Sequence, residues 1–157
     1  MLAVLAQSNV AGVQSFHSDR ADVVHEHLSK RLSRHRFDCG RAEPIDARIY
    51  SMELGAIQFV DLQYGTEVDV EAQLEDDHFL VHLALDGETV MWADGNRYQL
   101  RPDELMVSSP GTPLKVHMTG NCRHLAVRMP ASICTDYLGQ QLHIPVQRRL
   151  EFYPGRE

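Results

Sequence analysis

Residues 77–113, DHFLVHLALDGETVMWADGNRYQLRPDELMVSSPGTP, decide the fold. Apolar and β-branched runs alternate with turn-forming groups at Asp86-Gly87, Asp94-Gly95-Asn96, Arg101-Pro102-Asp103 and Ser109-Pro110-Gly111. Turns this closely spaced leave room only for short strands, which is the signature of a sandwich or barrel and not of alternating helices and strands. The flanking sequence extends the pattern. Over Thr66–Leu74, Val68, Val70, Ala72 and Leu74 alternate with Glu67, Asp69, Glu71 and Gln73, so one face is apolar and the other acidic. Further strands are expected at Ala47 onward, Ile57–Tyr64, Phe79–Leu85, Thr89–Ala93, Tyr98–Leu100, Leu105–Ser109, Leu114–Met118 and His124–Met129, with a bulge at Phe59-Val60.

Two helices frame this β region. Ser18 followed by Asp19-Arg20-Ala21-Asp22 reads as an N-cap and an acidic first turn, and Val24, Leu28 and Leu32 give a helical stripe through about Arg34. That helix is expected to pack on Phe79, Val81, Leu83 and Leu85. After Pro130, Ala131–Leu138 has helical spacing, with Gly139 as its C-cap. At 157 residues the chain fits one domain: a lead over 1–15, a helix over 18–34, a barrel over 47–129 and a helix over 131–139.

Composition narrows the partners. A net charge of −7, with 15 basic residues against 22 acids, argues against holding DNA, because that binding is driven by neutralising phosphates. The basic cluster Lys30-Arg31, Arg34, His35, Arg36 reads as a solvated helix face. Cys39, Cys122 and Cys134 are few, odd in number and far apart, which fits reduced thiols and a cytoplasmic protein. No apolar run has membrane-spanning length, and the apolar Met1–Ala6 is too short for a signal peptide.

In order along the chain stand Phe16-His17-Ser18-Asp19, Asp46-Ala47-Arg48, Leu62-Gln63-Tyr64-Gly65, Asp77–Leu85 ending in Gly87, Leu100-Arg101-Pro102-Asp103, Ser108-Ser109-Pro110-Gly111 and Arg128-Met129-Pro130. From about Phe16 to Pro154 this order resembles the N-terminal sensing domain of AraC/XylS-type transcription regulators. The resemblance implies a mainly β, cupin-like double-stranded β-helix (a jelly-roll barrel) with an N-terminal and a short C-terminal helix. It also implies a small-molecule effector, pairing of two subunits as a homodimer, and DNA contact only through two helix-turn-helix units that follow the barrel. Those units are missing from this sequence, so the chain is expected to be a piece of a longer regulator or a stand-alone sensor.

No catalytic residue, metal or cofactor is expected. Many cupins are similar in using two histidines one residue apart plus a carboxylate; here His78 and His82, with Asp86, are four apart. On a strand that places their Cα atoms about 13 Å apart, too far to share one ion at about 2 Å. Cys122 near His124 lacks a third group and an oxyanion site. The candidate ligand contacts are inward residues and nearby aromatic or cationic groups: Val70, Leu80, Leu114, Val116 and Leu125 on the apolar wall, His82 and Arg123 as polar groups in the same register, Tyr64 and Trp92 as rings, and Arg48 as a fork for a carboxylate. The interior wall is also expected to include Val68, Ala72, Leu74, Ala84 and Val127, with His117 and His124 facing out. For Arg48 a salt bridge to Asp46 or Glu53, and for Trp92 and Tyr64 a core role, are the competing readings. A carboxylated or aromatic effector follows. The rival functions are a stand-alone metal-dependent cupin enzyme and a pairing domain whose barrel is filled by its own side chains.

Overall fold

The computed structural model describes residues 11–40, 44–146 and 150–152. The apolar Met1–Ala6 and the end of the chain from Tyr153 lie outside the described residues. Eleven strands are described: β1 Gln14–Ser18, β2 His35–Asp38, β3 Ala47–Leu54, β4 Ile57–Gln63, β5 Val68–Gln73, β6 His78–Asp86, β7 Thr89–Ala93, β8 Asn96–Leu100, β9 Leu105–Ser108, β10 Pro113–Met118 and β11 Arg123–Pro130. Two helices join them, α1 Ala21–Ser29 and α2 Ala131–Leu142. The strands form two antiparallel sheets in the orders β1-β3-β4-β11-β6-β9 and β2-β5-β10-β7-β8. β6 pairs with β11 and β9, and β10 with β5 and β7, so most neighbours are distant in sequence. This is the crossing pattern of a jelly roll. The core between the sheets includes Ile49, Val60, Leu62, Val68, Ala84, Met91, Leu114 and Val116.

The turn-rich region behaves as its sequence dictates. Gly87 has φ +69° between β6 and β7, and a Cβ there would stand 2.7 Å from the Cys122 Cα. Only glycine allows both that backbone conformation and that approach.

Several expectations are corrected. β1 and β2 were not read from the sequence: β1 lies in the expected lead, and β2 at the tail of the basic cluster. α1 is shorter than expected, because the Lys30–Arg34 segment leaves the helix and enters β2. Ser18 closes β1, and its Oγ accepts from the Arg20 N–H at 3.2 Å, while Arg20 occupies the N-cap. α1 does not lie under the outer face of β6; its Val24 and Leu28 belong to the barrel core. Phe79 on that outer face meets the ring of Phe152 edge-on, centroids 5.1 Å apart. α2 runs through Gly139 to Leu142, and His143 takes the left-handed C-cap with φ 54°. The register is continuous through Phe59-Val60; the irregularity sits between Arg123 and His124, opposite Asp86 and Ala84.

Candidate functional site

A cavity of about 50 Å³ lies between the two sheets. Leu80 and His82 from β6, Val70 from β5, Leu114 and Val116 from β10 and His124 from β11 line it, with Tyr64 just beyond β4. Leu28 at the end of α1, and Leu32 and Ser33 after it, close one side. The wall carries no lysine or arginine.

A buried polar chain crosses this apolar interior. Ser108 Oγ lies 3.2 Å from His82 Nε2, His82 Nδ1 lies 3.2 Å from His124 Nε2, and His124 Nδ1 lies 3.4 Å from Thr89 Oγ1. Thr89 Oγ1 in turn lies 3.1 Å from Cys122 Sγ. All five residues are buried. Each neutral imidazole has one donor and one acceptor nitrogen, so the two rings donate either both toward Thr89 or both toward Ser108. Burial keeps both rings neutral: it holds His82, faced also by His124, well below the usual histidine range and lowers His124 to about 4. Burial likewise pushes the Cys122 thiol up, which suits a structural hydroxyl partner and not a nucleophile.

Tyr64 is 4% exposed, and its ring packs 5.1 Å from Phe37. Among the described residues its hydroxyl has no hydrogen-bond partner. Burial raises its pKa, so it faces the cavity as a neutral phenol. His35 joins the wall from β2. Its Nδ1 lies 2.9 Å from the Ser33 carbonyl, which can only accept, so the proton sits on Nδ1. The Nε2 is then a buried acceptor without a partner.

Six of the ten candidate contacts therefore meet around one cavity: Tyr64, Val70, Leu80, His82, Leu114 and Val116. Four do not. Arg48 is exposed and donates to Asp46 at 2.9 Å, on the outer face of the first sheet. Trp92 is 37% exposed, outside the second sheet, paired across strands with Lys115 and Arg97. Arg123 and Leu125 sit on the outer face of β11, as does Val127, while His124 and Ala126 turn inward. β11 lies in the middle of its sheet, where both faces are crowded, so apolar alternation does not reveal which side is inside. Arg123 forks onto Asp61, with Nε at 2.9 Å and a terminal nitrogen at 2.6 Å. Burial works against ionising Asp61, but the Arg123 bonds and charge outweigh it and hold the carboxyl below its ordinary range. His35, His124 and the Leu28–Ser33 segment were missed as wall residues. A histidine read as exposed and a helix read as lying elsewhere gave no sequence signal for them.

His78 and His82 do not converge. His78 is drawn to Asp77, Glu75 and Arg128 at the surface end of β6, while His82 points into the barrel. Glu75, Asp77 and His78 do approach one another as possible ligand atoms, but Arg128 already engages the cluster.

The model of the AraC-binding-like domain matches residues 24–156. This chain belongs to that family. A comparison with curated proteins yields no match. Among solved structures, the AraC-binding-like domain is similar to the AraC-like transcriptional activator CuxR, with a TM-score of 0.66 at 21% identity over 82% of this chain and 51% of that one. It thus spans about half the length of that activator. KdgF from Halomonas sp. is a weaker likeness, with a TM-score of 0.48 at 16% identity over 59% of this chain and 86% of that one. A Cupin 2 conserved barrel domain protein from Salinispora arenicola CNS-205 gives 0.44 at 13% identity over 66% and 90% of the two chains. The cupin-like barrel of the AraC-binding-like domain is mainly β, and among its described residues no helix is long and apolar enough to cross a membrane.

Proposed function

We propose that this AraC-binding-like domain is the effector-sensing part of a transcription regulator, acting on helix-turn-helix units carried elsewhere in a longer protein. The observation that carries this reading is the apolar cavity between the sheets with the Tyr64 hydroxyl on its wall. The effector it suits is neutral and largely apolar, with one hydroxyl or N–H. A carboxylate finds no cation there, and an unpaired buried charge is costly. A hydroxyl can pair with Tyr64 and with the orphan His35 Nε2, a buried acceptor that has no partner among the described residues.

Cavity size supplies the signal. An engineered cavity of about 150 Å³ accepts benzene, whereas this one measures about 50 Å³. An effector of more than a few heavy atoms is expected to displace Leu28 at the end of α1 and Leu32 just after it, which line one side of the cavity. It shifts the regulator only if the displaced arrangement binds it more tightly.

Titration with phenol, benzene and benzoate tests this. Phenol is expected to bind best and benzoate not at all, and Tyr64→Phe should remove the preference of phenol over benzene. Tightest binding by benzoate would overturn the neutral-effector reading, and no binding by any of the three would overturn the cavity as an effector site.

A further inference from the structure

A second cleft, separate from the barrel cavity, lies between the end of α1 and the β3–β4 hairpin. It measures about 240 Å³, and Arg31, Gln14, Ser51, Glu53 and Gln58 supply its polar wall. Arg31 is partly buried there. Its Nε–H donates to Ser51 Oγ at 3.3 Å, one terminal nitrogen donates to the His27 carbonyl at 3.4 Å, and the other donates to Gln14 Oε1 at 3.0 Å. Every acceptor is neutral, and Arg31 forms no ion pair among the described residues. In a chain with net charge −7 this is an unusual state for a guanidinium, and its planar fork is the geometry that carboxylates match.

The other side of the cleft has the opposite need. Gln58 Nε2 donates to Glu53 Oε1 at 3.3 Å, which fixes the orientation of the amide. Gln58 Oε1 is then a buried acceptor with no partner. A cation on one wall and a carboxylate beside an orphan carbonyl on the other disfavour a plain anion and a plain cation alike.

We infer that this cleft binds a small zwitterion, its carboxylate on Arg31 and its ammonium on Glu53 and the Gln58 carbonyl oxygen. The inference stands apart from the barrel reading but meets it in the chain: Leu28 and Leu32 line the cavity while Arg31, between them, lines the cleft. A ligand in either site therefore acts on the same segment, and any coupling must be reciprocal.

The test is an NMR titration of the whole chain, following the Ser51 and Gln58 signals, with glycine, β-alanine and γ-aminobutyrate as zwitterions of increasing length and acetate and methylammonium as the separate halves. One zwitterion is expected to bind about tenfold or more tightly than either half, a difference of about 1.4 kcal/mol. Arg31→Gln should abolish that binding. Glu53→Gln, at an exposed position that leaves folding unaffected, should weaken the zwitterion about tenfold without weakening acetate, and this variant carries the test if Arg31→Gln does not fold. Acetate or methylammonium binding as tightly as every zwitterion, undiminished binding in both variants, or no binding by any probe would overturn the inference.

Discussion

His124 is the residue on which most of the interior turns. It bridges His82 and Thr89, so replacing it by leucine strands a ring nitrogen on one side and weakens the hold on a hydroxyl on the other. His124→Leu is expected to lower stability at neutral pH by about 2 kcal/mol, read from the urea midpoint. The same substitution should blunt the acid response. The folded-state pKa of His124 is lowered from 6.5 to about 4, and that of His82 is lowered too. Between those values the unfolded chain binds more protons than the folded one, so the stability present above about pH 6.5 is lost as the pH falls toward 4. Urea midpoints at pH 7.5 and 5.0 should separate widely in the parent chain and less in His124→Leu. Equal separations would show that other groups govern the acid limb. On the outer face Arg123→Met takes both guanidinium bonds from the buried Asp61 and is expected to cost about 3 kcal/mol, checked by the same unfolding experiment.

At the scale of elements, α1 and β11 show where pattern reading succeeds and where it stops. Val24 and Leu28 are buried as their helical spacing requires. Spacing alone does not say which surface they meet, and they plug the barrel end instead of covering the back of β6. Leu28→Ala is expected to cost about 3 kcal/mol and to enlarge the cavity, so benzene should raise the melting temperature of the variant more than that of the parent. The eight strands delimited from the sequence match β4 to β11 within about two residues at either end, because turn chemistry fixes where a strand must stop. β1 and β2 escaped because each is short and carries a single apolar residue, Phe16 or Phe37, so no alternation shows. β1 is held by pairing with β3, and β2 by pairing with β5.

For the whole molecule the consequence is linkage. A ligand that binds only the folded chain raises its stability by about 2.7 kcal/mol at a hundred times its dissociation constant. Phenol should therefore raise the melting temperature in a concentration-dependent way, and Tyr64→Phe should flatten that dependence. If both chains respond equally, the Tyr64 hydroxyl takes no part in binding.

The sequence by itself determined the class of architecture, the strands of the barrel, and six residues that share the cavity wall, since alternation and turn chemistry are local and survive without knowledge of neighbours. Tertiary structure alone decided which face of the central strand β11 is inside, that His35 and His124 complete the interior, and that Arg48, Arg123 and Trp92 stand outside it. The physical reason is that a strand flanked on both sides in a sheet can bury either face. Whether an arginine, a histidine or a tryptophan finds its partner in the core or at the surface depends on residues tens of positions away, such as Asp61 for Arg123 and His82 for His124.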